Sequence, residues 1–464
     1  MKFINRKEEL IILNDALESE RFEFYVLYGR RRIGKTCLVL NAIKDKKAIY
    51  YLAVEGSNIE KFKNVASKTK PEIQYVKNDF EAIFNFLKDE IVVIDEFPNL
   101  IKENPKILSE FQRIVDVVLK DTKTKLIILG SSISMMESSV LIYSSPLFGR
   151  KTGQIKLKPM KFREIKNFSP EASAEELVEI YGFADGVPFY LDKLGYPFWK
   201  WIEMELKRTD SFLKTEIDFI MKYEFSETRT YKKILEAIAF GNTQLGEIKD
   251  YCGFKGTDIT PYLKNLIETE FVHKISPLFA PVQSRKNRYY IKDNFVKFWF
   301  RFIYPNISFI EEGIFSIDEI KINYSAYLGR TFEKICFEFL IENMNLMPFK
   351  FTKIGRQYGT IPSAKKGENQ YEIDWVATNE ETKEILFMEC KWKDLNEEEF
   401  GKILEKLKEK AKFVKWNNDY RKDDDRKDDD KKEYFGIIAK RIENKEKLIN
   451  EGFIAFDLND FKFS

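Results

Sequence analysis

The run Gly29-Arg30-Arg31-Arg32-Ile33-Gly34-Lys35-Thr36 has two glycines with four residues between them, then Lys and Thr. That is the pattern of a phosphate-binding loop. It constrains the fold strongly, because such a loop works only where a buried strand feeds it and a helix leaves it. Phe24-Tyr25-Val26-Leu27-Tyr28 supplies the apolar strand, and Cys37-Leu38-Val39-Leu40 continues as the helix. The glycines let backbone N–H groups curl around a β-phosphate, and the helix N-terminus adds its positive dipole end. Lys35 is expected to reach the β- and γ-phosphates, and the Thr36 hydroxyl to hold Mg²⁺. The expected nucleotide-contacting set is therefore Gly29, Arg30, Arg31, Arg32, Ile33, Gly34, Lys35, Thr36 and Cys37, with ATP and Mg²⁺ as cofactors.

Further apolar runs follow in an order that fits one parallel sheet. Ala48-Ile49-Tyr50-Tyr51-Leu52-Ala53 reads as a second strand. Ile91-Val92-Val93-Ile94-Asp95-Glu96 reads as a third, ending in two carboxylates. At that position Asp95 would complete the Mg²⁺ shell through water, and Glu96 would orient and polarise the attacking water. Leu126-Ile127-Ile128-Leu129 runs into Gly130-Ser131-Ser132, and Ser131 is placed between the two nucleotide motifs. Gln154-Ile155-Lys156-Leu157 is a fifth strand. Short apolar strands alternating with helices predict a parallel sheet covered on both faces.

The 464 residues are too many for one core and imply several domains. Lys plus Arg number 77 against 75 Asp plus Glu, so any basic surface must be local. The cysteines, Cys37, Cys252, Cys336 and Cys390, show no CxxC spacing, which argues for a reducing compartment and against a zinc knuckle. A single histidine, His273, excludes a histidine-based metal site or triad. The first residues lack the pattern of a signal peptide, and no apolar run reaches membrane-spanning length. The expectation is a soluble, cytoplasmic protein with no membrane partner.

On these motifs, residues 1 to about 205 resemble the archaeal ATPase family of the P-loop AAA+/STAND group. The resemblance includes Phe3-Ile4-Asn5-Arg6-Lys7-Glu8-Glu9-Leu10, the loop at 29–36, Ile94-Asp95-Glu96-Phe97-Pro98, Gly130-Ser131-Ser132 and Pro146-Leu147-Phe148-Gly149-Arg150. It implies that Arg150 acts as an arginine finger across a subunit interface, and hence a homo-oligomer. Gly182-Phe183-Ala184-Asp185-Gly186-Val187-Pro188 resembles the Gly-x-Pro turn of the family's helical lid, with an extra acid.

Residues 224–305 read as three short helices and a ribbon. The first is Tyr231 to Phe240, closing at Gly241. Thr243 is expected to cap the second, and Thr257 or Asp258 the third. The strands 271–275 and 288–291 form the ribbon, with His273 as a strand residue. This order is the winged-helix plan. Lys274, Arg285, Lys286 and Arg288 would make a basic wing that contacts phosphate, or the module would serve packing instead. The aromatic run from Asp293 to Phe302 reads as core or interface.

In the last third, a helix from Tyr324 to about Leu340 carries Glu333, and 371–377 reads as a strand carrying Asp374. A turn at 379–382 leads back into Ile385-Leu386-Phe387-Met388-Glu389-Cys390-Lys391-Trp392. The period of two puts Glu389 and Lys391 on one face with Phe387, while Met388, Cys390 and Trp392 face the other way. This arrangement resembles the PD-(D/E)XK nuclease superfamily and, more narrowly, the domain that often follows this archaeal ATPase. Glu372-Ile373 stands where the name-giving proline would be. The resemblance implies Asp374 and Glu389 as Mg²⁺ ligands, Lys391 as the water-activating cation and Glu333 as an outer carboxylate. The repeat from Arg421 to Lys432 has cancelling charges and no apolar residue, and reads as a solvated loop.

The expected architecture is α/β multidomain: a parallel-sheet P-loop ATPase core at 1–160, a helical lid at 161–222, a winged-helix domain at 223–310 and an α/β restriction-endonuclease-like domain at 311–464. The expected function is ATP hydrolysis coupled to Mg²⁺-dependent cleavage of DNA. The alternative is an ATP-controlled switch whose last domain binds nucleic acid or a partner without cleaving it.

Overall fold

Five apolar runs become the five strands of one parallel sheet: β1 (Glu23–Tyr28), β2 (Ala48–Leu52), β3 (Ile91–Asp95), β4 (Lys125–Gly130) and β5 (Gly153–Lys156). This is a computed structural model, and it describes residues 3–256, 258–281, 286–361, 364–365, 369–416 and 431–463. Thr257, Arg285 and most of the charged repeat, residues 421–430, lie outside the described residues. The chain forms two compact units: Met1–Met160 with Val187–Lys193 and Glu268–Glu270, and Lys161–Gly186 with Leu194–Ile267 and Phe271–Ser464. No helix among the described residues is long and apolar enough to cross a membrane.

In the first unit the strand order is β2-β3-β4-β1-β5. Val26, Ile94 and Ile128 belong to one core with Phe97 and Phe111 from the covering helices. Both faces are buried, which is why these strands read as unbroken apolar runs rather than alternating ones. The insertion of β4 between β1 and β3 matters for the site. It brings the residue after Gly130 between the phosphate loop at the end of β1 and the acids at the end of β3. Gly29 has φ +152, and a Cβ there would lie 2.6 Å from the Leu157 carbonyl oxygen, so the loop must begin with glycine.

In the second unit the helices Arg229–Ala239, Leu245–Cys252 and Thr260–Glu268 precede a ribbon of β6 (Val272–Ile275) and β7 (Arg288–Ile291). Asp258 Oδ1 accepts from Thr260 N, as expected of a cap. The middle helix is capped differently from expectation. Gln244, not Thr243, is its N-cap, in a capping box with Glu247. The Thr243 N–H is instead taken by the same Glu247 carboxylate. The aromatic run after Asp293 is core: Phe295, Phe298, Trp299 and Phe300 are all buried.

The second sheet is mixed, in the order β12-β11-β10-β9-β8. Its strands are β8 (Lys353–Thr360), β9 (Gln370–Asn379), β10 (Glu384–Leu395), β11 (Lys432–Ile442) and β12 (Ile454–Phe456). The first three pair antiparallel and the last three parallel. The helix before them runs Asp318–Glu342, starting six residues before the expected Tyr324. The ribbon is tied to β8. Leu278 N donates to the Arg356 carbonyl, and Tyr358 Oη donates to the carbonyls of Ile275 and Lys286.

The extra acid of the lid turn has a structural partner. Asp185 is buried and accepts two hydrogen bonds from Lys334 Nζ at 2.7 and 2.9 Å, with a third from the Asn294 N–H. Removing the cation strands a buried carboxylate. Lys334→Met is expected to destabilise the protein by about 2–4 kcal/mol. Urea denaturation measures this, and an unchanged midpoint contradicts it.

Candidate nucleotide site and a second acidic site

Asp95, at the end of β3, gathers the nucleotide motifs. Its Oδ2 accepts from Thr36 Oγ1 at 2.6 Å and from Tyr50 Oη at 2.7 Å, while Oδ1 accepts from the Glu96 N–H at 2.8 Å. The two residues expected to share Mg²⁺, Thr36 and Asp95, are thus already in contact. A hydroxyl and a carboxylate are hard oxygen donors, the set Mg²⁺ prefers, and the metal fits here. Glu96 adopts φ +54, a left-handed conformation unusual for a non-glycine residue. Its Oε2 accepts from Ser131 Oγ at 2.7 Å. Ser131 therefore stands where the strand order put it, holding the expected water-polarising carboxylate.

The loop itself is anchored at several points. Lys35 Nζ donates to the carbonyls of Gly29 at 2.8 Å and Arg30 at 3.0 Å. Arg32 has φ +70, and its guanidinium stacks 3.9 Å from the Phe189 ring centroid. Phe189 belongs to the short helix Pro188–Asp192, which follows the Gly-x-Pro turn. Ile33 is fully buried, and Gly34, at φ +94, starts the helix Lys35–Ala42 that contains Thr36 and Cys37.

Two contributors were not assigned a role from sequence. Arg6 donates to the carbonyls of Ile33 at 3.3 Å and Lys158 at 2.7 Å, joining the N-terminal motif to the loop and to the exit of β5. Tyr50 sits on the opposite strand face from buried Tyr51, so alternation along β2 was the available signal. Burial, reinforced by Asp95, pushes the Tyr50 phenol well above its usual range, so it stays a donor.

Arg150 is held within its own chain. Its Nε and Nη2 make a forked pair with Asp116 at 2.8–2.9 Å, and Nη1 donates to the Pro146 carbonyl at 2.8 Å. The structure does not bring it to the phosphate loop. A role as a finger in trans requires this pair to open.

The second acidic site lies where β9 and β10 separate. Their pairing ends at Trp375 opposite Met388. Beyond it, Asp374 Oδ2 accepts the Cys390 N–H at 2.8 Å. On the other side, Gly355 pairs with Val376 and Gln357 with Ile373, so Asp374 and Trp375 together oppose Arg356 alone. That bulge re-aims Asp374. Lys391 Nζ lies 2.5 Å from Glu389 Oε2 and 3.5 Å from Asp374 Oδ2. Glu389 Oε1 takes Lys410 Nζ at 2.5 Å.

Electrostatics follow from burial and these pairs. Burial and the neighbouring Glu389 raise the Asp374 carboxyl. Burial alone would lower the Lys391 ammonium, but Asp374 and Glu389 outweigh it and hold it above the usual lysine range. Lys391 is therefore a fixed cation rather than a base.

Glu333, expected as an outer metal carboxylate, is paired with arginines of the chain. The helix carrying it covers the face of Cys390 and Trp392, with Phe332 ringed against Trp392 and Trp375 Nε1 donating to the Glu333 carbonyl. Phe387 shares a core with Leu407 of the helix Glu397–Ala411, whose Lys410 meets Glu389. The helices bearing Glu333 and Lys410 thus cover opposite faces of the sheet, while the Asp374 charge still reaches Glu333. Glu333 Oε2 is taken by Arg356 Nη2 at 2.5 Å and Arg330 Nη1 at 2.8 Å. Among the described residues, no group of three or more His, Cys, Asp or Glu side chains is placed to hold a metal ion. The acids Asp374, Glu389 and Glu333 do not fit a metal as arranged, because lysines and arginines already neutralise them.

If Glu96 polarises water and Ser131 positions it, the two variants should separate. Glu96→Gln is expected to keep ATP binding and slow turnover by about 10²-fold or more. Ser131→Ala is expected to slow it by about tenfold, the worth of one hydrogen bond of this kind. Steady-state phosphate release beside equilibrium nucleotide binding checks both; a Glu96→Gln protein as fast as the parent places the base elsewhere.

Comparison with known proteins agrees with the first unit. A family described as an ATPase domain predominantly from Archaea matches residues 3–194. A second, described as Archaea bacterial proteins of unknown function, matches residues 299–403. The protein MJECL04 of Methanocaldococcus jannaschii is 58% identical over 461 residues, covering 99% of this chain and 100% of that one. The ATP-binding protein MJ1010 of the same organism is 27% identical over 133 residues, 27% of this chain and 35% of that one. The solved Walker-type ATPase PABY2304 of Pyrococcus abyssi aligns at 21% identity with a TM-score of 0.49, over 64% of this chain and 96% of that one. The 58% identity to MJECL04 along the whole length leaves one conclusion: the chain belongs to the same family as that M. jannaschii protein, and its residues 3–194 are an archaeal P-loop ATPase domain.

Proposed function

We propose that this protein binds and hydrolyses ATP in its first unit, and that its second unit acts on DNA through the Asp374–Lys391 hairpin. The observation carrying the ATPase half is the Thr36–Asp95–Glu96–Ser131 chain of contacts. Lys35 and the loop N–H groups would take the phosphates, Thr36 and Asp95 would hold Mg²⁺, and Glu96 would polarise water. Mg²⁺ supplies charge neutralisation on the transferred phosphoryl group.

The DNA half rests on two features. Three helices and a ribbon in this order are the winged-helix plan. The mixed sheet with a bulge at Asp374, and Lys391 beside it, supports a reading as a PD-(D/E)XK-type domain. In this reading Lys391 is a fixed positive charge for the phosphodiester, and Asp374 and Glu389 are the acids of the cleavage site. The ribbon's Arg288 pairs with Glu372 and its edge lies against β8, so contact with DNA through the ribbon requires Arg288 to leave Glu372. One observation favours the switch reading: both Glu389 oxygens are bound by lysines of this chain. A homo-oligomer through Arg150 belongs to the same proposal and requires release from Asp116.

Labelled duplex DNA incubated with ATP and Mg²⁺ or Mn²⁺ tests the proposal in the parent, Lys35→Ala and Lys391→Ala proteins. Cleavage by the parent that Lys391→Ala loses supports the nuclease. Loss in Lys35→Ala as well adds control by ATP. No cleavage by any of them, with ATP hydrolysis intact in the parent, supports the switch.

A further inference from the structure

Glu372, which stands where a proline gives the nuclease-like motif its name, collects three guanidinium groups. Arg288 Nη1 of β7 lies 2.5 Å from its Oε2, and Arg330 Nη1 of the Asp318–Glu342 helix lies 2.9 Å from its Oε1. Arg356 Nη1 of β8 lies 3.7 Å from that same Oε1. Glu333 is the other acid in the cluster, shared by Arg330 and Arg356. Three cations against Glu372 and Glu333 leave one positive charge, and two if Glu372 is neutralised, with neighbouring Asp374 offset by its own cation Lys391.

The cluster has unused donor capacity. Arg356 is over nine-tenths buried, and its Nε and Nη1 find no hydrogen-bond partner among the described residues. A buried donor left unmade is costly, and a carboxylate offers too few oxygens to satisfy all three forks. A backbone phosphodiester has the same bidentate match to guanidinium, with its two non-bridging oxygens spread wider on a tetrahedral phosphorus and two ester oxygens beside them. The cluster is walled by Tyr290, whose ring lies 5.3 Å from Arg330 and 5.8 Å from Arg356. It opens to solvent at Glu372 and Arg330, whose side chains are 27% and 38% exposed. Glu372 also lies two residues before Asp374 on β9, about 7 Å of extended backbone.

We propose that Arg288, Arg330 and Arg356 form a seat for a nucleic-acid backbone phosphate, and that Glu372 occupies this seat in the free protein. The proposal rests on the reading of the β9–β10 hairpin as a phosphodiester site. Binding then exchanges an internal carboxylate for an external phosphate next to Asp374. Burial would raise the Glu372 carboxyl, but Arg330 and Arg288 hold it down to about 2, so the occupant is an anion at every working pH.

A fluorescein-labelled DNA duplex, titrated in EDTA so that no cleavage occurs, tests this by anisotropy. Glu372→Gln is expected to bind about fivefold or more tightly than the parent. Arg330→Ala is expected to bind about fivefold or more weakly and to lower the salt slope by about one. The duplex should also raise the melting temperature of Glu372→Gln more than that of the parent, because it supplies the missing anion. Parent-like affinity in both variants overturns the proposal, as does a parent that does not bind. If Arg330→Ala fails to fold, Glu372→Gln decides alone. Inorganic phosphate forms a second arm: if it stabilises Glu372→Gln while the duplex does not, the seat is for a free anion and the nucleic-acid assignment falls. Cleavage with Mn²⁺ is scored separately. Altered binding without cleavage keeps the seat and removes the nuclease, whereas cleavage with unaltered binding does the reverse.

Discussion

The carboxylate of Asp95 is the point on which the first unit's chemistry depends. One oxygen holds the Thr36 and Tyr50 hydroxyls and the other holds the Glu96 N–H. Three elements converge there: the helix behind the phosphate loop, β2 and β3. The strand order makes this possible, since β4 separates β1 from β3 and delivers Ser131 between them. Preorganised groups of this kind need little rearrangement to take a nucleotide phosphate. The left-handed backbone at Glu96 is part of the same arrangement, because it turns the chain sharply enough for the carboxylate to reach Ser131.

The second unit follows a different logic, in which buried charges are tolerated only because they are paired. Asp185 with Lys334, Glu389 with Lys391 and Lys410, and Glu372 with three arginines all obey it. The bulge at Asp374 sits two residues from Glu372 on β9 and faces the Glu389–Lys391 pair of β10. Each acid expected from the sequence is present, but each is held by cations of the chain. Any chemistry at the hairpin therefore starts with an exchange of partners.

Much of the first unit was legible because its signals are local. A loop pattern of eight residues, four further apolar runs and an acid pair at a strand end specify the sheet and most of the site. Tyr50 escaped because a tyrosine in a buried strand carries no motif: alternation separates its face from that of Tyr51 but does not say that Asp95 lies on it. Arg6 escaped because its contacts with Ile33 and Lys158 span distant parts of the chain. In the second unit the strand period gave the faces of Glu389 and Lys391 correctly. It could not show that the helix bearing Glu333 covers the opposite face, nor that Glu372 would draw in arginines from three elements. The Gln244 cap differed from Thr243 for a local reason: Glu247 is three residues from Gln244, the spacing a capping box needs.

The most direct test of this account is nucleotide affinity of Asp95→Asn, measured with and without Mg²⁺ beside the parent. The loop and Lys35 remain, so binding in EDTA should match the parent. The gain in affinity that Mg²⁺ gives the parent should be lost, because the carboxylate that completes the metal shell with Thr36 is gone. An Asp95→Asn protein that still binds ATP more tightly in Mg²⁺, to the same degree as the parent, would contradict the central role given to Asp95.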